Sequence, residues 1–399
     1  MTSKPTVTSN PTSAAASAAT PSVLIVGAGI VGAACAAEVA ARGYGVTVVE
    51  AERPGGGATA ACMGHVVVMD DSEAQFALGR WSQRLWDELA SRFPSKVERD
   101  PCGTLWVAED DEEMDAVHAK HAFYAERGVH TEILDQESLR QAEPELRHAL
   151  LGALRVPGDS VVYPPAAVEW LLDQAAADAR RLKVPFRLLC GVSVAKAEPD
   201  RVILHDGREL RADFVVVASG ATALDILSTS LDGHAIRPRK GHLVITDRRP
   251  GFCRHQLVEL GYLKSAHSAG DSSVAFNLQP RATGQMLLGS SRQFGRTTPE
   301  VELPMVRRMF ERGRHFLPRL GELKAVRMWA GFRPATDDHL PLVGPLREGS
   351  TLLLAAGHEG LGITTSLGTA KLIADHVSGL TSPIDPTPYL PSRAGGHHG

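Results

Sequence analysis

The sequence predicts an α/β protein in which a mostly parallel, doubly wound sheet is supplied by separate stretches of chain and interrupted by an α+β unit built on an antiparallel sheet. Residues 22–50 read as strand, glycine turn, helix and strand, and residues 351–379 read as strand, glycine turn and helix again. Between them, 236–292 breaks into short alternating runs (Leu243 to Thr246, Val274 to Leu278, Met286 to Leu288), as antiparallel strands do. A chain of 399 residues is also long for one core, which favours two units.

The first unit is the most specific. Val23 to Val26 is a short apolar run suited to a buried parallel strand, and Gly27, Gly29 and Gly32 follow with GxGxxG spacing. Gly27 permits the tight turn, Gly29 lets a pyrophosphate approach the backbone, and Gly32 lets helix and strand pack closely. The helix begins through Ile30 and Val31 and continues in small residues (Ala33, Ala34, Cys35, Ala36, Ala37), so its axis can lie near the sheet; Gly43 ends it. Phosphates would rest on the helix N-terminus, where unpaired N–H groups and the positive dipole end converge. Glu50 closes the strand Val46 to Val49, where a carboxylate can accept hydrogen bonds from ribose hydroxyls. This is a dinucleotide clamp. The fingerprint is compatible with NAD and FAD alike; the acid argues against a 2′-phosphate, an argument that nearby Arg53 weakens slightly.

Next, Gly55 to Gly64 (GGGATAACMG) reads either as backbone wrapping a ligand or as a flexible surface loop. Helices are expected over Glu73 to Phe93, with Trp81, Leu85 and Leu89 on one stripe, and over Asp110 to Arg127, with Met114, Val117, His121 and Tyr124 on one face. That placement makes His121 a core-edge residue. Pro164 and Pro165 start a helix that Ala166 to Leu182 continues. Strands follow over Pro185 to Cys190 and Val192 to Ala195, then a hairpin of Arg201 to Leu204 and Arg208 to Leu210 about Asp206-Gly207. Asp213 to Gly220 (DFVVVASG) is a buried strand delivering a tight turn. Thr351 to Ala356 is another, running into Gly357-His358-Glu359-Gly360-Leu361-Gly362. A helix from about Thr364 to Val377 then buries Leu367, Ala370, Ile373, Ala374 and Val377 and stops at Gly379. No internal repeat is evident.

Composition excludes several classes. Apolar residues make up 43% and charged residues 22%, with net charge −4, so there is no basic footprint for nucleic acid. The five cysteines (Cys35, Cys62, Cys102, Cys190, Cys253) are scattered and odd in number, which indicates neither a disulfide framework nor a zinc site, and no metal is expected. Residues 1–20 lack the basic start and apolar core of a secretion signal and read as a disordered tail; Pro391 to Gly399 look equally unstructured. No run approaches bilayer length. The expected setting is cytoplasmic, with room for peripheral contact at the inner face of a membrane.

GAGIVG with Glu50, the GGGATAACMG loop, DFVVVASGA, WAGFRPATDDHLPLVG and GHEGLGIT together resemble the D-amino-acid oxidase (DAO) superfamily of FAD enzymes, from Ser22 to about Pro383. The resemblance implies a Rossmann-like FAD-binding domain of the discontinuous GR2/DAO type (22–100, 155–235 and 330–385), an α+β substrate domain on an antiparallel sheet (101–154 and 236–329), and flexible tails at 1–20 and 386–399. It implies that Gly27, Gly29, Ile30, Val31, Gly32 and Glu50 hold the ADP half of FAD, with Ala58, Thr59 and Ala60 along the pyrophosphate and flavin. Val194 would meet the adenine through its backbone, and Ala218, Ser219 and Gly220 would form the second dinucleotide turn. Gly357, His358, Gly360, Leu361, Gly362, Ile363 and Thr364 would run past the pyrimidine edge of the flavin, where a helix N-terminus stabilises negative charge on the reduced ring.

The resemblance also gives Arg333, in WAGFRPATDD, the substrate carboxylate. A planar guanidinium forms a bidentate pair that lysine cannot copy, and Arg292 in GSSRQF is the next candidate. Tyr262, in LVELGYLK, falls about where the family places an aromatic hydroxyl over the substrate, although strand tyrosines are common. His358 and Glu359 could be read as an acid/base pair, but the turn works mainly through its backbone. GHEGLGIT has the GHxxLGxT form of D-amino-acid dehydrogenases, and no cysteine follows Cys253, so the implied FAD is noncovalent. The implied activity is dehydrogenation of a small D-amino or D-imino acid of the D-hydroxyproline or D-proline type. Electrons would pass to a quinone or an electron-transfer protein. A glycine- or sarcosine-type oxidase and the FAD-carrying subunit of a heteromeric amine dehydrogenase are the alternatives, and a homo-oligomer is compatible with any of them.

Overall fold

The computed structural model describes residues 20–228, 231, 233–261 and 272–393. The expected N-terminal tail up to residue 19, and Tyr262, lie outside the described residues.

A six-stranded sheet holds the first unit. Its order is Leu342–Pro345, Leu352–Ala356, Phe214–Val217, Ser22–Val26, Gly45–Glu50, Phe186–Cys190. All neighbours are parallel except the first pair. The runs of valine and leucine suit this position, since β-branched residues fit a pleated surface covered on both sides. Val23 to Val26 are fully or nearly fully buried, with Phe214–Val217 in register on one side and Gly45–Val49 on the other. The Ile30–Ala41 helix packs against Pro164–Leu182 and Gly362–Ser378. Its small residues permit that: Ala33, Ala34, Cys35 and Ala36 are all buried in one cluster with the two partner helices. On the opposite face, Val194–Glu198, Arg201–Leu204 and Glu209–Arg211 form a small antiparallel sheet over Leu24, Val26, Val215 and Val217.

The second unit is an eight-stranded sheet in the order Ala325–Thr336, Ile236–Arg248, Gln285–Gln293, Ser272–Pro280, Gln256–Glu259, Thr104–Ala108, Gly152–Val156, Glu132–Asp135. It is antiparallel except where Gln256–Glu259 runs parallel to Thr104–Ala108, a pair made by segments remote in sequence. The Leu303–Phe316 helix covers one face, where Phe316 stacks on Phe276 with ring centroids 4.6 Å apart.

Several expectations need correction. The boundary at 154/155 cuts the strand Gly152–Val156, and that at 329/330 cuts Ala325–Thr336; both strands belong to the eight-stranded sheet. The helix expected over Glu73 to Phe93 is α-helical over Glu73–Leu89 and ends in a 3₁₀ turn. Its innermost face is Leu78, Ser82, Gln83 and Trp86, whereas Trp81, Leu85 and Leu89 are only partly buried. Polar residues face inward because each has a partner: Ser82 Oγ accepts from Gly368 N–H at 3.0 Å, and Gln83 donates to Asp159 at 3.0 Å. The helix Asp111–Glu126 places His121 at the core edge, its Nδ1 2.7 Å from the Thr131 hydroxyl. The strand expected at Val192 starts at Val194. The tail expected from 386 is tied down as far as it is described: Tyr389 is buried and donates to Ala74 O at 2.7 Å, and Arg393 forms a two-toothed pair with Asp338. Residues 394–399 lie outside the described residues.

Candidate active site

A cavity of about 370 Å³ runs along the C-terminal ends of the parallel strands, where ligands of open α/β sheets bind. It starts at the glycine turn. Gly27 has φ +100°, and a Cβ there would lie 2.7 Å from the Ala218 carbonyl oxygen; one on Gly32 would run into the Gly27 carbonyl. These contacts bring the two glycine turns and the helix start together, while Gly29 caps the helix and faces the Thr59 hydroxyl, which accepts from Ile30 N–H at 3.1 Å. Glu50 accepts from Ala28 N–H at 2.7 Å through one oxygen and from Glu52 N–H at 2.9 Å through the other. A carboxylate has about four lone-pair sites, so both oxygens keep capacity for ribose hydroxyls.

The cavity wall includes Gly27, Gly29, Ile30, Val31 and Glu50 at one end, and Ala58, Thr59, Val194, Ala218, Ser219 and Gly220 along its length. His358, Gly360, Gly362 and Ile363 line the other end. The GGGATAACMG segment is therefore wall, not a detached surface loop. Gly32, Ala60, Gly357 and Thr364 are not on the wall. Gly32 packs helix against turn, and Ala60 closes a turn on Gly57. Gly357, at φ +80°, makes room for Thr336, and the Thr364 hydroxyl bridges His65 O and Val67 N–H. Leu361 lines a second cavity.

That second cavity, about 130 Å³, opens beside the first and shares Arg333, His65, Asn277, His358, Glu359 and Gly360 with it. Arg333 therefore stands where the two meet. It lies on the long strand Ala325–Thr336, directly opposite Arg239, and its guanidinium passes over Gly241, where any side chain would collide with it. One nitrogen donates to Ser291 O at 3.1 Å. Arg239 and Arg292 also line this cavity. Glu359 pairs with Arg239 and accepts from His339. Both Glu359 (φ 44°) and His339 (φ 59°) adopt left-handed backbone conformations that non-glycine residues usually avoid, which fixes carboxylate and imidazole against each other.

Burial alone would raise the Glu359 carboxyl, but the His339 hydrogen bond and the charges of Arg239 and Arg292 together hold it down to about 2. His339 is raised, chiefly by its bond to Glu359. Burial pushes His65 and His358 the other way, each down to about 4, so both rings are neutral at pH 7. His358 is anchored on the Thr369 hydroxyl at 2.9 Å. The reading of His358 and Glu359 as an acid/base pair fails on these contacts: the two side chains have separate partners. The Cys62 thiol, on the wall of the larger cavity, is pushed by burial to about 11 and donates to Thr59 O, so it is no thiolate.

Sequence reasoning passed over Arg239, His65 and His339. Arg239 sits in a run, RPRKGH, that looks like an ordinary basic stretch, and only the strand register puts it beside Arg333.

A cleft with a glycine cradle at one end and arginines at the other fits a dinucleotide cofactor that serves an anionic substrate. A family profile described as "FAD dependent oxidoreductase" (DAO) matches residues 22–376, and the chain belongs to that family of FAD-dependent oxidoreductases. The chain is 28% identical over 379 residues to glycine oxidase of Geobacillus kaustophilus strain HTA426, covering 93% of this chain and 96% of the relative. It is 27% identical over 416 residues to the hydrogen cyanide synthase subunit HcnC of Pseudomonas aeruginosa, covering 93% and 95%. The crystal structure of glycine oxidase from Geobacillus kaustophilus superposes with a TM-score of 0.81 at 26% identity, over 93% of this chain and 98% of that one. Among the described residues no helix is long and apolar enough to cross a membrane.

The cradle fits FAD. Gly27 and Gly29 free the space a pyrophosphate needs, Glu50 stands at the strand end for a ribose, and the cavity continues past Thr59 to the N-terminus of the Gly362–Ser378 helix.

Proposed function

We propose that this chain dehydrogenates a small amino or imino acid of the D-amino- or D-imino-acid type, holding the substrate carboxylate on Arg333. The observation that carries the reading is the position of Arg333 at the junction of the two cavities, with its guanidinium clear over Gly241. FAD, when bound, supplies the two-electron acceptor for hydride leaving the carbon that bears the amine. The protein's own residues do the rest. Arg333 orients the carboxylate bidentately, which fixes the Cα–H toward the larger cavity. The apolar walls, with Trp106 and Val258 buried and Leu361 partly buried, strengthen each charge contact. His65 and His358, neutral at pH 7, add no positive charge that would hold the substrate amine away. The Gly357–Thr364 segment has the GHxxLGxT form of D-amino-acid dehydrogenases, which favours an acceptor other than oxygen, a quinone or an electron-transfer protein.

A second reading, a glycine- or sarcosine-type oxidase or the flavin subunit of a heteromeric dehydrogenase, is favoured by the similarity to glycine oxidase and to HcnC. One experiment separates them. Holoenzyme is mixed anaerobically with D- and L-amino and imino acids while flavin absorbance is followed, and turnover is then measured with a dye and with oxygen. Bleaching by D-substrates with dye reduction well ahead of peroxide formation supports the first reading. Peroxide formation at a comparable rate supports an oxidase, and no bleaching by any amino acid supports a subunit that needs partners.

A further inference from the structure

The face of the large sheet that borders the smaller cavity divides in two. Arg333, Arg239 and Arg292 stand on Ala325–Thr336, Ile236–Arg248 and Gln285–Gln293, and the next three strands in order bring Asn277, then Gln256 and Val258, then Thr104 and Trp106. Register holds this second group together. Asn277 and Trp106 are the cross-strand partners of Val258 on its two sides, and Gln256 is the partner of Thr104. Directly opposite residues project to one side, so all five face the cavity, while the alternating Leu105, Leu257 and Leu278 enter the core behind the sheet.

In the arginine half the charged groups have partners within the protein: Glu359 binds Arg239 and His339, and Arg292, Arg333 and Asp71 are engaged as well. The other half is uncharged, buried and unsatisfied. Trp106, Gln256 and Asn277 are 3%, 1% and 6% exposed, and among the described residues nothing pairs with Trp106 Nε1, Gln256 Oε1 or Asn277 Oδ1. Gln256 is held in this sense by its other end. Its amide nitrogen donates to Ser160 O at 3.3 Å and to the Thr104 hydroxyl at 3.4 Å, and a carbonyl oxygen only accepts, so the amide oxygen is the atom left over. His65, also on this wall, has the Gln279 side chain beside it. Buried polar groups in folded proteins are paired as a rule, and three orphans on the wall of one cavity are groups that a ligand completes.

The unmatched set is one donor and two acceptors, because an indole N–H only donates and an amide oxygen only accepts. A primary carboxamide is its complement: the oxygen accepts from Trp106, and the two N–H groups donate to Gln256 and Asn277. A hydroxyl makes two of these bonds, an aliphatic group makes none, and a carboxylate, which only accepts, meets two oxygens. We infer that the substrate side chain entering this cavity ends in a primary carboxamide, as in an amino acid of the asparagine or glutamine type. This rests on the reading of the site as an amino-acid dehydrogenase with the α-carboxylate on Arg333, and it narrows that reading from small amino and imino acids to acyclic ones with an amide side chain. Each buried group left unpaired weakens binding about tenfold.

The test uses holoenzyme and two independent readouts. The first is binding without turnover, by perturbation of the flavin spectrum, with succinamate against 4-methylpentanoate and succinate, three acids of nearly one shape. The second is anaerobic flavin reduction by both enantiomers of asparagine and glutamine against leucine, aspartate and serine. Succinamate is expected to bind at least about tenfold more tightly than the other two acids, and the better carboxamide to exceed leucine, aspartate and serine at least about tenfold in kcat/KM. Trp106→Phe removes the N–H and keeps an aromatic ring under Lys120, whose Nζ lies 4.7 Å from the ring centroid. It and Asn277→Leu should each lower the carboxamide-to-leucine ratio about fivefold, with FAD content and melting temperature recorded for both. If neither variant folds, the wild-type ratios decide. Equal binding of the three acids, leucine, aspartate or serine reducing the flavin as well as the carboxamides, or a ratio unmoved in both variants overturns the inference and leaves the dehydrogenase reading standing. Tight succinamate binding that weakens in Trp106→Phe, with no flavin reduction by any amino acid, supports the carboxamide site and overturns the dehydrogenase reading instead.

Discussion

The two ends of the cleft are built by opposite means. The cradle around Gly27, Gly29 and Gly32 works with backbone: its specificity comes from atoms that are missing, and Glu50 is the charged side chain on its wall at that end. The pocket around Arg333 works with charge: Arg239, Arg292, Arg333, Glu359 and His339 crowd a space about a third the volume. A backbone site tolerates no added atom but depends little on any one side chain. A charged site tolerates shape changes and fails when one group is removed.

The largest effect should therefore come from a single side chain added to the cradle. Gly32→Val puts a branched side chain into the Gly27 carbonyl, and the expected result is protein that folds poorly or purifies colourless, seen as loss of flavin absorbance. A yellow Gly32→Val protein with normal FAD content would show that the cradle is looser than its contacts indicate.

Next is Arg333. Removing a guanidinium that pairs with a carboxylate in a closed site costs about 3 to 4 kcal/mol, or roughly 10²- to 10³-fold in kcat/KM. Arg333→Met should show that loss with FAD retained, and Arg333→Lys should recover only part. Near-wild-type flavin reduction in Arg333→Met would remove the anchor from this position.

The third prediction concerns the seam, where His65 and His358 sit on both cavities. Their folded values, about 4, lie below the ordinary 6.5. Between those values the unfolded chain binds protons that the folded one refuses, so stability falls as pH drops through that window, by up to about 3 kcal/mol for each ring. Glu359, held at about 2, adds a loss below its ordinary 4.5. Urea unfolding of holoenzyme at pH 7.5, 6 and 5 should give a declining series, flatter in His358→Gln. A constant free energy across the series would mean the rings are protonated in place.

The smallest effect is expected at Glu50. Glu50→Gln keeps one acceptor and loses the charge-assisted bond, which is worth about 1 to 2 kcal/mol, so FAD should bind about tenfold more weakly while the bound fraction turns over normally. A colourless Glu50→Gln protein would mean that the backbone cradle is not sufficient.

The same contrast governs what could be read from the chain. Glycine spacing, the valine runs and Glu50 lie within one local stretch, and their consequences are local, so the cradle and the parallel sheet were legible. Arg239 was not, because its meaning depends on a register with a strand formed far along the chain. Arg333 was singled out by the likeness of its surrounding motif, not by its own chemistry. The buried face of Glu73–Leu89 was misjudged because Ser82 and Gln83 look like surface residues until Gly368 and Asp159 are brought to them. The segment beyond 386 misled similarly: proline and arginine read as loose ends, yet Arg393 finds Asp338 across the fold.

The strand order carries one more consequence, in the timing of synthesis. Ser22–Val26 lies between Gly45–Glu50, made moments later, and Phe214–Val217, made when more than half the chain has emerged; the strand beyond that is Leu352–Ala356. A nascent chain on the ribosome thus exposes one open edge of its first parallel pair until Phe214–Val217 is made, and the helix Gly362–Ser378 at the other end of the cavity follows every strand of that sheet. A cavity wall that includes both Gly27 and Ile363 is complete only once all of these elements have been made.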